Sequence, residues 1–377
     1  MKKIVFCYTI AGTFRFSTDI ISTLKREGFE VTIISSYSKE LVDIAKLLDV
    51  PFRHFNIGRD ISLLRDFKCL VELIGLLRHI KPDIVIGATP KAALISMLAS
   101  RIARIKYRVY HIFGLPYETA DGWKQRILLL MEKFTYMLSS HVVCISRSIR
   151  DVYRKRFPNV RSKLVDVGLL TVGGVNLVKF NADRFIVSDI KEELKIPKEK
   201  IVIGFVARLT NDKGVGDLIE MWLKLKSYRD DIVLLVVGER DSRDSFDQEK
   251  LNILFDDQDV FIIGYTELVE KYMAVMDVFV LPSHREGFGN VNVEASAMKL
   301  PVVSYNVTGC KDSVKDNYTG YLVDLKDVDT LSDAVDSLLN DATKRELIGS
   351  NGRLYVEKYF TRQKVALSFR NFCLEFN

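Results

Sequence analysis

The chain has 377 residues, 48% of them hydrophobic, with a mean hydropathy of +0.07 and a formal net charge of +6. That length exceeds one ordinary core and sets an expectation of two domains of about 180 residues each. The longest apolar stretches, around 127–131 and 70–77, are too short or too interrupted to span a bilayer, and five unevenly spread cysteines without metal-ligand spacing suggest reduced thiols in a cytosolic protein.

Charge is distributed unequally. Residues 1–175 hold 28 Lys and Arg against 15 Asp and Glu, whereas the remainder holds 27 against 34. A basic first half suggests a polyanionic or membrane-surface partner; the alternative is a charge dipole without function. The N-terminus is basic and then apolar, but the run Ile4–Tyr8 is short and no small-residue cleavage site follows convincingly, so it reads as the first core strand and not a signal peptide.

A strand over 3–8, a helix over 20–26 closed by Gly28 and a strand over 29–35 predict a parallel sheet with crossover helices. The loop Thr9–Thr13 lies at a strand's carboxyl end, where open α/β sheets bind ligands. Gly12 there either admits a ligand to the backbone or turns the chain. A helix over 41–48, an extended segment over 51–55 and a long helix over 61–80 follow, then a strand over 83–87. Thr89-Pro90-Lys91 opens a helix over 92–103. Pro suits a first turn, but a Lys there opposes the helix dipole, so Lys91 is either a contact for an acceptor phosphate or a surface lysine.

After a strand over 107–112, residues 123–138 form an amphipathic helix bearing Lys124, Arg126 and Lys133. Such a helix either lies on anionic lipid or packs on the core with a solvated back. A strand over 141–145, a helix from Ser146 to about Phe157 and a strand over 163–167 complete the first half. Leu169–Asn176, with paired glycines, is the candidate linker. The same rhythm then restarts: strands over 198–206, 232–238, 260–263, 278–281, 301–305 and 320–323, helices over 215–227, 248–255, 267–276 and 330–339, and two tail helices within 344–376 broken near 359–361.

Two stretches carry chemistry. Leu281–Leu300 runs from a buried strand through Arg285, Glu286, Gly287 and Gly289 into a helix from about Val291, with Glu294 eight positions after Glu286. A helix N-terminus after a glycine turn attracts anions and polar ligands, whereas carboxylates accept hydrogen bonds from sugar hydroxyls. Eight helical residues rise roughly 12 Å, too far for the two carboxylates to flank one glycosidic bond, as a retaining hydrolase needs at roughly 5 Å. They suit the two sugars at either end of a diphosphate. The second stretch, Phe205–Gly214, ends a strand and projects Arg208 and Lys213, two cations matched to a diphosphate; solvated surface cations are the alternative. Asp327-Val328-Asp329 imitates a metal signature, but its place before a helix makes it a cap.

Gly204–Arg208 with Lys213-Gly214, then Leu281-Pro282-Ser283 with Glu286–Gly289 and Glu294-Ala295, then Gly309 and Gly320–Val323, resemble retaining glycosyltransferase family 4 over nearly the whole chain. The resemblance implies an α/β GT-B fold: two Rossmann-like domains facing each other across a cleft. It implies an acceptor-binding domain over 1–175, a nucleotide-sugar domain over 176–358 and a helix over 359–377 crossing back. The implied donor is a nucleotide sugar, a substrate and not a cofactor, usually UDP-linked. Glu286 would hold the donor sugar, the Gly287-Phe288-Gly289-Asn290 backbone would line the sugar and phosphate site, and Glu294 would bind ribose. Arg208 and Lys213 would neutralise the leaving diphosphate without a metal. Family members carry a His near the strand over 107–112; either His111 faces the reacting sugar or Phe113 takes the usual place and His111 is structural. Glu118 is an outside candidate for acceptor activation, and Lys299 and Asp312 depart from the family pattern.

The segment Tyr110–Trp123 is similar to bacterial enzymes of capsule and O-antigen assembly. With the basic first half, this implies a lipid-linked saccharide acceptor, an anionic membrane surface at the cytoplasmic face, and no nucleic acid partner. An epimerase-like enzyme, or a nucleotide-sugar-binding protein without turnover, is the alternative.

Overall fold

Strands covered on both faces read as continuous apolar runs, because neither side meets water; Ile84–Ala88 and Ile232–Val237 are buried throughout. The computed structural model describes residues 1–55, 57–58, 62–165, 171, 173–241, 244 and 246–376. It divides into two units, Met1–Gly174 with Arg362–Asn377, and Val175–Thr361.

The first unit contains β1 (Lys3–Cys7), β2 (Glu30–Ser35), β3 (Phe52–His54), β4 (Ile84–Ala88), β5 (Tyr107–Ile112), β6 (His141–Cys144) and β7 (Leu164–Val165). All pair in parallel in the order β3-β2-β1-β4-β5-β6-β7. The second contains β8 (Ile201–Val206), β9 (Ile232–Val237), β10 (Val260–Gly264), β11 (Val278–Leu281), β12 (Val302–Tyr305) and β13 (Gly320–Val323). Their order is β10-β9-β8-β11-β12-β13, again parallel. Strand order therefore reverses between β1 and β4 and between β8 and β11. Doubly wound sheets open a ligand crevice at such a switch point.

Helix starts follow their caps. The helix Lys39–Leu48 begins two residues before the periodicity alone suggests, because the Ser38 side chain accepts from the Leu41 amide. Asp327 likewise accepts from the Thr330 amide and hydroxyl and caps Val328–Leu339. Thr9–Thr13, expected as loop, leads into a 3-10 turn over Ala11–Phe16, and a short helix Val187–Glu193 had no sequence signal. Residues 166–170 and 172, which include the end of the expected seventh strand and part of the expected linker, lie outside the described residues.

The last helix, Arg362–Leu374, belongs to the first unit. Val365, Ala366, Phe369 and Phe372 enter the core that holds Ile4, Phe6 and Tyr8, and ion pairs Arg362–Asp19 (3.3 Å) and Arg370–Glu27 (2.8 Å) flank them. The change of unit falls between Thr361 and Arg362, a few residues after the expected 358/359 boundary.

Candidate active site

In the second unit, the loops after β8 and β11 flank the switch point and are tied together. Gly214 has φ +70°, and a Cβ there would lie 1.8 Å from the Pro282 carbonyl oxygen, so only glycine permits this approach. The His284 amide donates to the Asp212 carbonyl at 2.9 Å, and Arg285 pairs with the Asp212 carboxylate at 3.1 Å. These contacts place Lys213 against Glu286, Nζ to Oε1 2.5 Å, with both side chains largely buried. The Ser283 hydroxyl donates to the same Glu286 oxygen at 3.0 Å. Arg208 is half exposed and reaches Asp241 at 2.5 Å.

Arg208, Lys213 and Arg285 therefore each have a carboxylate beside them, which keeps a concentration of positive charge tolerable. Asp212 lies among Lys213, Arg285 and Arg208. Burial raises its pKa, but the Thr210 hydroxyl and those three cations outweigh burial and hold it below the usual carboxylate value. Asp217, in the first turn of the helix Val215–Lys226, accepts from Tyr305 at 2.7 Å and meets His284 Nε2 at 3.0 Å. Burial raises this carboxyl as well, and again the hydrogen bonds and the His284 charge prevail and lower it. Sequence reading missed Asp212, Asp217, Asp241 and Tyr305. Asp212 and Asp217 lie close in sequence to Lys213, whereas Asp241 follows β9 and Tyr305 ends β12, so no short stretch joins them.

The helix after the glycine turn runs Asn290–Ala297, one residue earlier than expected. Gly309 (φ +86°) approaches the turn so closely that a Cβ would lie 2.7 Å from the Glu286 carbonyl oxygen. Glu294 sits in the second turn of that helix, partly exposed. Phe288 is buried, its ring on Phe360 with centroids 5.1 Å apart, so its side chain anchors the turn in the core. Arg208, Lys213, Glu286 and Gly287–Asn290 thus come together on one crevice of one unit.

The first unit's crevice is built differently. The Thr9 and Thr89 hydroxyls meet at 2.6 Å, joining the loops after β1 and β4. Thr89 has φ +65°, an outlier for a β-branched residue. Gly12 lies in the 3-10 turn, where a Cβ would meet the Glu40 carboxylate at 3.1 Å. Lys91 is buried and paired with Asp66 at 2.6 Å, which is why a lysine is tolerated at that helix start. Glu118 is exposed in the turn Pro116–Glu118.

His111 is 3% exposed on β5, with its ring between Phe113 and Phe369, at centroid distances of 4.7 and 5.3 Å. Among the described residues its Nδ1 has no hydrogen-bond partner, and burial lowers its pKa to about 3, which favours the neutral ring. These are the surroundings of a packed side chain, and they favour the structural alternative for His111.

The helix Gly122–Leu138 is inverted relative to an ordinary surface helix. Trp123, Ile127, Leu130, Phe134 and Met137, spaced four and three apart, point into solvent; Trp123 is 75% exposed. Its inner face carries a buried Glu132, which accepts from the Tyr110 hydroxyl at 2.9 Å and from the Tyr153 hydroxyl at 3.1 Å. Burial raises the Glu132 pKa to about 7 against the lowering effect of those bonds.

This pair of doubly wound units is the GT-B architecture. The crystal structure of Anabaena HepE in complex with UDP and glucose superposes with a TM-score of 0.81, at 17% identity, over 100% of both chains. Residues 187–355 match the family Glycosyl transferases group 1, and residues 12–168 match the Glycosyl transferase 4-like domain. The capsular polysaccharide biosynthesis glycosyltransferase CapM of Staphylococcus aureus is 34% identical over 96% of this chain and 94% of its own. The UDP-Gal:alpha-D-GlcNAc-diphosphoundecaprenol alpha-1,3-galactosyltransferase of Escherichia coli is 25% identical over 88% and 86%. The chain belongs to the group 1 glycosyl transferases, and it is a glycosyltransferase.

Proposed function

We propose that the protein is a retaining, metal-independent glycosyltransferase of bacterial capsule or O-antigen assembly. It moves a sugar from a UDP-linked donor to a saccharide carried on a lipid diphosphate. The observation that carries this reading is the Lys213–Glu286 pair beside Arg208 at the β8/β11 switch point. Arg208 and Lys213 receive the diphosphate and stabilise its charge as the glycosidic bond to the leaving group breaks. Glu286, released from Lys213, accepts hydrogen bonds from the donor sugar, the Gly287–Asn290 backbone lines the sugar and phosphate, and Glu294 takes the ribose. The UDP in the HepE complex and the UDP-Gal donor in the E. coli enzyme's name support the donor assignment, and that enzyme's diphosphoundecaprenol acceptor supports the lipid.

The protein works at the inner face of the cell membrane. Among the described residues no helix is long and apolar enough to cross a membrane, and the outward stripe Trp123–Met137, flanked by Lys124, Arg126 and Lys133, suits an interfacial helix on anionic lipid. The test is transfer from UDP-sugars to lipid-linked acceptor by wild type, Glu286→Ala and Lys213→Ala, with NMR of the product anomer. Loss of transfer in both folded variants and a retained anomer are expected; full activity in both variants overturns the site, and an inverted anomer overturns retention. Conversion of the donor without transfer would favour an epimerase-like activity instead.

A further inference from the structure

At the edge of the first sheet opposite its crevice lies a hollow of about 450 Å³, a volume in the range of small-ligand sites. Pro82 and Asp83 lead into β4 there, and Ile105 and Lys106 lead into β5. Because the strands are parallel, Thr9 and Thr89 sit at their other ends, about 17 Å away over the five residues of β4. Four exposed cations line the hollow, Arg78, Lys81, Arg104 and Lys106, against one carboxylate, Asp83; the rest of the lining is apolar. Asp83 is itself engaged, its Oδ2 accepting from the Lys3 amide at 2.7 Å. Two helices, Leu63–Ile80 and Pro90–Ile102, end at this place.

Basic residues at helix C-termini are common, because each end carries about half a negative charge. Two such ends and one carboxylate account for about two of the four cations, so the hollow keeps roughly two positive charges. Its neighbours add to this excess. Among the described residues Arg78, Lys81, Arg101 and Arg104 take part in no ion pair. Other surface cations of this unit do meet carboxylates, as Lys25 meets Asp49 at 2.6 Å and Arg370 meets Glu27 at 2.8 Å. The Arg108 guanidinium donates to the Ile105 and Leu138 carbonyls at 2.6 and 2.8 Å, and burial together with the charge of Arg101 lowers its pKa. Burial, Arg108 and Arg101 lower Lys163 in the same way.

We propose that this hollow binds a phosphate group, at a site separate from either strand-switch crevice. A phosphate ester carries about the two negative charges that the hollow leaves unbalanced, and Arg78 and Arg104 bring guanidinium forks, the shape that matches phosphate oxygens. A neutral sugar would leave the cations unmatched. The phosphate is that of a soluble ester or of an anionic lipid head. A lipid source is open to it because the exposed Phe134 and Met137 lie near the end of Gly122–Leu138, whose final carbonyl takes the Arg108 bond. The site needs neither the donor nor the acceptor assignment.

The probes are inorganic phosphate, glycerol 3-phosphate, and vesicles of phosphatidylglycerol in phosphatidylcholine, each added to the full chain at constant ionic strength. Soluble probes are read as a saturable rise in melting temperature, vesicles by co-sedimentation. The variants are Arg78→Glu/Arg104→Glu, the matched charge reversal Lys39→Glu/Lys46→Glu at exposed positions of the helix Lys39–Leu48, and Lys213→Ala in the second unit. Arg78→Glu/Arg104→Glu should weaken the interaction at least tenfold, whereas the other two variants should change it less than twofold. A loss seen with the soluble probes assigns a soluble phosphate ester, and a loss confined to the vesicles assigns a lipid head. If the reversal fails to fold, Arg78→Gln/Arg104→Gln removes the same two charges and is judged by the same comparison. The proposal is overturned if the two charge reversals behave alike with every probe. It is also overturned if Lys213→Ala alone loses the response, which would return the phosphate to the second unit's crevice.

Discussion

The two units solve the same topological problem with opposite chemistry. Each has a crevice where strand order reverses, between β1 and β4 in one and between β8 and β11 in the other. In the first, the flanking loops are joined by two threonine hydroxyls, and the neighbouring lysine is consumed by Asp66. In the second, they are joined by an ion pair and surrounded by further paired charges. A hydroxyl pair holds loops together without a charge that must be compensated. An ion pair can be opened by a ligand that brings its own charge, because the incoming anion replaces the carboxylate at the lysine. On the proposed reading the second unit exchanges an internal partner for a bound diphosphate, while the first unit's crevice has no such ion pair between its loops among the described residues.

The hardest test of that contrast is Lys213→Ala. If the ion pair is a diphosphate site held in waiting, transfer should fall by about 10²–10³-fold, the scale seen when one donor to developing charge is removed, measured as kcat/KM with UDP-sugar. Thr89→Ala, the counterpart on the first unit, should cost far less. Equal losses would erase the distinction. Gly214→Ala comes next. It adds a left-handed penalty of about 1–2 kcal/mol and forces Pro282 to move, so UDP affinity should fall as the loops separate, and thermal unfolding should show a destabilised second unit.

The same contrast explains what could be read from the sequence. Apolar runs separated by amphipathic helices gave both sheets, because a doubly wound strand must be apolar on both faces. The grouping of charges at the second unit's crevice was legible because its groups lie in two short stretches, Arg208–Gly214 and Glu286–Glu294, at strand ends. Asp212, Asp217 and Asp241 were not read as site groups, since a carboxylate near a lysine in sequence is usually a solvated neighbour; only the fold shows that Asp212 and Asp241 pair with Arg285 and Arg208 and that Asp217 meets the His284 ring. In the first unit, periodicity showed an amphipathic 123–138 helix but not which face turns inward. Its buried face includes a glutamate, Glu132, so the burial of Thr135 and Tyr136 beside it runs against the hydropathy pattern. Lys91 was read as a misfit because its partner, Asp66, is on a different helix. His111 was ambiguous because β5 offers it one of two faces, and its contact with Phe369 of the distant last helix was not visible in the sequence.

Two buried titratable groups sharpen the picture of the first unit through pH. The Glu132 carboxyl has an elevated folded pKa of about 7 against an ordinary 4.5. Its neutral form is therefore favoured by folding, a contribution fully present below about pH 4.5 and lost as pH rises through 7, on the order of 3 kcal/mol. The melting temperature of the first unit should decline over that window, and Glu132→Gln, which stays neutral and can still bond the tyrosines, should flatten the decline. An unchanged slope in Glu132→Gln would show that the helix is not held by a protonated carboxyl.

His111→Leu should have the smallest effect on turnover. The histidine's folded pKa of about 3 lies below its ordinary 6.5, so its contribution is present above pH 6.5 and is lost as pH falls toward 3. Leucine fills a similar volume against Phe113 and Phe369 and has no proton to gain, so the acid-side loss of stability should shrink. With a neutral core role, kcat at pH 7.5 should stay within about twofold, because a near-isosteric apolar exchange in a core costs under about 1.5 kcal/mol of stability and leaves the crevice groups in place. A hundredfold fall in kcat with unchanged UDP affinity would mean that His111 reaches the reacting sugar after all. The first unit would then hold a chemical group of its own, and the contrast between a charged crevice in one unit and an uncharged one in the other would have to be redrawn.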